Sequence, residues 1–107
     1  MAPTNWQQQA TAFAHEHELM HDPTIHALDL VSEVGETAKA LLLATQYGQR
    51  PLPDTDLNLN EELGDALYSL CLLSTACGVD LETAFRAALA KYARRFQSYG
   101  AIGNKPS

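Results

Sequence analysis

Residues 60–73 read NEELGDALYSLCLL, and the fold turns on how that stretch is read. Apolar residues fall on nearly every side of it: Leu63, Ala66, Leu67, Leu70, Cys71, Leu72 and Leu73. A helix apolar all round is a buried helix. Yet Glu62 and Asp65 stand three residues apart at its front end, on one helical face. Ser69, Leu72 and Ala76 continue that face, and no basic residue stands among them. Buried carboxylates without partners are costly, so the pair is expected to be protonated, paired or bound to a cation.

Working outward, residues 31–36 read VSEVGE, and Glu33 and Glu36 repeat the same spacing. His26 and Asp29 lie on the same helical side, and Leu30, Val34, Ala38 and Leu41 form the adjoining apolar arc. If the two apolar stripes pack, four carboxylates converge. At about 4 Å and an effective dielectric near 20, one like-charge pair costs about 4 kcal/mol. Hard divalent cations answer that cost, because they take oxygen ligands.

Glu33-x-x-Glu36 followed by Glu62-x-x-Asp65 resembles the signature of the MazG-like, all-α nucleoside triphosphate pyrophosphohydrolases. The flanking words SEVGETAKALL, EELGDALYSLCLL and GVDLETAFRAALAKYARRF are similar too, and the likeness runs from about His21 to Phe96. A glycine before the last acid of each pair makes the match more specific than two bare acidic pairs. The resemblance implies hydrolysis of an NTP or dNTP to the monophosphate and pyrophosphate. It implies Mg²⁺, with Mn²⁺ as a substitute, held by Glu33, Glu36, Glu62 and Asp65. Lys91 and Arg95 would then neutralise phosphate, and Glu36 is the candidate to take the proton from attacking water. A house-cleaning role against non-standard nucleotides and assembly as a dimer or tetramer also follow from the likeness. The spacing alone supports only a cation site.

Three other readings stay open. Phosphoribosyl-ATP pyrophosphohydrolase shares this general helical design. A di-iron carboxylate protein would want Glu-x-x-His pairs, and neither acidic pair has the histidine. A non-catalytic helical interaction module would use the acids only as caps or solvated groups.

The bulk numbers narrow the field. A chain of 107 residues suits one domain with one modest core, and 46 % hydrophobic residues is ordinary globular composition. A net charge of −6 argues against binding duplex nucleic acid. No apolar run is long enough for a membrane span and no leader pattern opens the chain, so a cytoplasmic protein is expected. Cys71 and Cys77 fall on different sides of one helix and are expected to stay unpaired and buried.

Along the chain, an all-α, four-helix bundle-like domain is expected, with helices at about 5–20, 23–47, 58–77 and 81–99 and a loose tail over 99–107. On the first helix Trp6, Ala10, Phe13, His17 and Met20 make one side. Trp6 and Phe13 offer aromatic faces to a nucleobase and His17 or His21 a hydrogen-bonding edge; core or subunit packing explains the aromatics equally well. His17 and His21 have metal-chelating spacing, but two polar residues near a helix end, one of them packed on Trp6 or Phe13, account for it better. Asp22-Pro23 should open the second helix and Gly48 close it. Gly35 and Gly64, each beside an acid, suggest close helix approach at the site. The 49–57 loop offers Arg50, solvated or reaching phosphate. Asp80 should cap the fourth helix. There Leu81, Phe85, Leu89, Tyr92 and Phe96 form the core stripe, with Lys91 and Arg95 beside it and Arg94 outside. Three helices cannot cover every side of the third, so Leu67 and Leu70 call for a second copy of the chain.

Overall fold

The computed structural model describes residues 5–53 and 57–99 and consists of four helices: α1 (Trp6–Glu16), α2 (Pro23–Ala44), α3 (Leu57–Ala76) and α4 (Leu81–Tyr99). The tail expected over 99–107 lies, but for Tyr99, outside the described residues. So does the 54–56 part of the loop before α3.

α1 opens with a capping box: the Asn5 side chain accepts from Gln8 N–H at 2.8 Å, and the Gln8 side chain accepts from Asn5 N–H at 3.2 Å. α2 opens with Pro23 after Asp22, which stands at the N-cap without a side-chain cap bond. Three helices end in one way. Leu19 N–H donates to Ala14 C=O at 2.7 Å and Glu18 N–H to His15 C=O at 3.3 Å. Tyr47 N–H donates to Leu42 C=O at 2.6 Å and Gln46 N–H to Leu43 C=O at 3.2 Å. Val79 N–H donates to Ser74 C=O at 2.8 Å and Gly78 N–H to Thr75 C=O at 3.0 Å. Each is a Schellman closure around a left-handed residue: Glu18 (φ 57), Gln46 (φ 49) and Gly78 (φ 70). Only the third has glycine in that place. α1 and α2 therefore stop earlier than expected, and Gly48 follows the end of α2 instead of making it.

α2 lies along α3, and α1 packs across α3; α4 makes much slighter contact with the other helices. The covered line of α2 is His26, Leu30, Glu33, Thr37, Ala40 and Ala44, a 3–4 alternation along one side. This corrects the expected arc: Leu30 belongs to the contact, whereas Val34, Ala38 and Leu41 are exposed. Small residues at Ala40 and Ala44 bring α2 against α3, and Glu33 sits in the contact line itself. On α3, Ser69, Cys71, Leu72 and Ser74 are buried, while Leu63 is half exposed. Helix three is thus not enclosed within one chain.

α1 meets α3 through polar groups. The Gln7 amide donates to Thr75 Oγ1 at 3.0 Å and to Val79 C=O at 2.8 Å, and its oxygen accepts from Leu81 N–H at 2.7 Å. Thr11 and Thr75 hydroxyls lie 2.7 Å apart. Ala14 is the buried residue of α1; Trp6 and Phe13, for which core packing was one of the readings, are exposed. The expected core stripe of α4 is likewise uncovered: Phe85, Leu89 and Phe96 are exposed. The turn after Gly78 carries α4 away from the α2–α3 pair. The Cα radius of gyration, 17.0 Å, reflects that openness, since a compact chain of about 100 residues has about 13 Å.

Candidate metal centre

The acidic pairs meet where α2 lies on α3. Carboxylate oxygens of Glu33, Glu62 and Asp65 lie within 4.8 Å of one another. Glu33 and Glu62 are half-buried and Asp65 is exposed. Glu33 comes from the covered line of α2. Glu62 and Asp65 come from one face of the first turns of α3. The oxygens are hard donors of the kind that Mg²⁺ and other small divalent cations take.

Electrostatics agree with the geometry. Burial, then the charge of Glu36, then those of Glu33, Asp65 and Glu61, raise Glu62 above its ordinary carboxylate value. Glu36 therefore lies close enough to act on Glu62, although it stands outside the three-oxygen cluster. Of the four expected ligands, three come together and the fourth stands beside them. Gly35 and Gly64 do not mark close approach inside the chain, because a Cβ at either would meet no atom within 4 Å.

Beside the acids runs an aromatic ladder. The Phe13 ring lies 4.5 Å from His17 and 6.2 Å, edge to face, from Tyr68. Tyr68 follows Asp65 by three residues, so the ladder reaches within one helical turn of the cluster. The buried Tyr68 hydroxyl has no hydrogen-bond partner among the described residues, and burial raises its pKa. Periodicity could not have picked Tyr68, which reads as one more core aromatic. Of the two histidines, His17 is the one that packs on Phe13. It lies past the end of α1, so helical i, i+4 chelation with His21 does not arise. His26 is 2 % exposed, and its Nε2 accepts from His21 N–H at 3.0 Å.

The remaining candidates lie on α1, on α4 and in the loop after α2. Trp6 is 70 % exposed. It lines an open apolar groove of about 520 Å³ with Leu67, Leu70, Leu81 and Phe85. Lys91 and Arg95 are half-buried on α4, and the Lys91 ammonium lies 5.0 Å from the Tyr92 ring. Arg50 caps α2, its Nε donating to Ala44 C=O at 3.1 Å. Cys71 is buried and Cys77 exposed, both as free thiols; the expectation of two buried thiols fails at Cys77. None of the described helices is long and apolar enough to cross a membrane.

A comparison with family models matches the MazG nucleotide pyrophosphohydrolase domain over residues 22–99. No curated protein matches the chain.

Proposed function

Because the chain belongs to the MazG nucleotide pyrophosphohydrolase family, we propose that it is a Mg²⁺-dependent enzyme cleaving an NTP or dNTP to the monophosphate and pyrophosphate. The observation that carries this is the Glu33–Glu62–Asp65 cluster, with oxygens within 4.8 Å of one another. All-oxygen donors at that spacing fit a small hard cation such as Mg²⁺, or Mn²⁺ in its place, with coordination left over for water and phosphate. When bound, the ion supplies Lewis acidity and offsets charge on the triphosphate. Glu33, Glu62 and Asp65 hold it. Glu36, close by and outside the cluster, orients water toward the α-phosphorus and takes its proton. Water oxygen bonds to that phosphorus, and pyrophosphate leaves with the electron pair of the broken anhydride bond. Lys91 and Arg95 stabilise phosphate oxygens.

The nucleobase is read by the aromatic ladder. α1 has 11 residues, so Trp6 and His17 at its two ends stand about 16 Å apart and cannot flank one base in one chain. His17 on Phe13, linked through Tyr68 to the acids, is the base-side edge. Trp6 serves the apolar groove, which a second copy of the chain covers in a dimer or tetramer. A cytoplasmic, house-cleaning role against non-standard nucleotides agrees with this reading.

Hydrolysis in ¹⁸O-labelled water, followed by phosphorus NMR, tests the bond cleaved. The label is expected in the monophosphate. Label in orthophosphate, or a nucleoside diphosphate as first product, would overturn the assignment. Phosphoribosyl-ATP run beside plain NTPs separates the phosphoribosyl-ATP pyrophosphohydrolase reading.

A further inference from the structure

Tyr68 stands between the two ends of the candidate site. A long helical side chain leans back over the preceding turn, and for Tyr68 that turn carries Asp65 of the acidic cluster. On its other side the Tyr68 ring meets Phe13 edge to face, with 6.2 Å between centroids, and Phe13 meets His17 at 4.5 Å. The order is therefore acids, Tyr68, Phe13, His17. A ring in that place needs no hydroxyl, since phenylalanine would pack as well. Yet the Tyr68 oxygen is buried and bonds to no group among the described residues, the carboxylates one turn away included. A buried hydroxyl without a partner costs about 5- to 150-fold in an equilibrium constant. Burial raises its pKa, so it stays a neutral O–H, able to donate and to accept. Phe13 is 50 % exposed and His17 is exposed. The aromatic neighbours of Tyr68 can thus turn aside on their own side-chain torsions.

We propose that the Tyr68 hydroxyl takes a sugar hydroxyl of the nucleotide and is the residue that reads the sugar. The inference rests on the nucleotide reading above and adds a contact within it. In that reading the triphosphate is held at the acids and the base at the His17 edge, so the sugar lies between them, where Tyr68 stands. The chemistry matches. A sugar hydroxyl, like that of Tyr68, both gives and takes a proton, in an O–H···O bond of about 2.7–2.8 Å. Thr11 and Thr75 already make such a pair at 2.7 Å. The partner arrives with the substrate, so the bond formed is one that the free protein lacks. An analogue without that hydroxyl leaves Tyr68 as it was, and a site built to bond a substrate hydroxyl discriminates against such an analogue. Selection at the sugar then comes from one oxygen atom, separately from the choice of base at His17.

The wild-type chain and Tyr68→Phe are compared by kcat/KM, with Mg²⁺, on the ribo-, 2′-deoxy- and 3′-deoxynucleoside triphosphates of the four common bases. The wild-type chain is expected to lose about 5- to 150-fold on one of the two deletions. Tyr68→Phe should lose a similar factor on the parent nucleotide and no longer distinguish it from that analogue. Loss on the 2′ series makes the chain selective for ribonucleotides; loss on the 3′ series leaves NTP and dNTP alike. A wild-type chain indifferent to both deletions, or Tyr68→Phe keeping the wild-type ratio, would overturn the contact while hydrolysis stands. Hydrolysis of none of these nucleotides by the wild-type chain would overturn the pyrophosphohydrolase reading, and the contact with it. Melting without nucleotide or metal is the second readout. The Tm of Tyr68→Phe should equal or exceed that of the wild type, since the variant gives up a buried donor that has no partner. A lower Tm would show that the fold, or a bound water, already holds the hydroxyl, and would overturn the proposal.

Discussion

Glu62 is the residue on which the site turns. Its pKa is raised by burial first and by Glu36, Glu33, Asp65 and Glu61 after that. A carboxyl raised in the folded state favours folding while protonated. That contribution is complete below the ordinary carboxylate value and is lost as pH rises through the raised one. The metal-free protein should therefore gain thermal stability as pH falls through the window just above the ordinary value. Glu62→Gln should flatten that dependence and abolish hydrolysis, with helicity kept. Melting curves across pH, with and without Mg²⁺, check the first part, and full activity of the variant would remove Glu62 from the site. The acids were legible because i, i+3 spacing fixes a helical face whatever surrounds it. Tyr68 and His26 were not: the roles of both depend on how α1 and the 17–22 segment fold back, which no local spacing encodes.

Among the elements, the helix ends differ most from expectation. Glycine after a helix is the readable stop, and it marks the end of α3. α1 and α2 make the same closure around Glu18 and Gln46 at positive φ, where an L side chain costs about 1–2 kcal/mol. Glu18→Gly and Gln46→Gly should each raise stability by about 1 kcal/mol, measured by urea unfolding. A loss at either position would mean that the side chain contributes more than its backbone strain costs. α4 raises a different question, since its apolar stripe was expected to be core and is exposed. The pattern showed that a stripe exists but not which surface covers it. If Lys91 and Arg95 act on phosphate, Lys91→Ala and Arg95→Ala should each cost about 2–4 kcal/mol of transition-state stabilisation. Arg94→Ala should cost little. Equal losses at all three in kcat/KM would indicate a weakened helix instead.

At the scale of the molecule, the family match covers residues 22–99 and leaves α1 outside. Yet the first amide of α4 is capped by Gln7, 74 residues away in sequence. The same side chain holds Val79 and Thr75. A piece cut to residues 22–99 loses the acceptor for Leu81 N–H and the clamp on the α3–α4 turn. Amide hydrogen exchange should show Leu81 unprotected in that fragment and, more mildly, in Gln7→Ala of the whole chain. Protection unchanged in both would show that the turn holds by itself. Gln7 ties the start of α1 to the start of α4, so α4 gains this cap only once α1 has docked. During synthesis α1 emerges before α4 and must wait for it, and a lesion at Gln7 should be felt as loosening near Leu81.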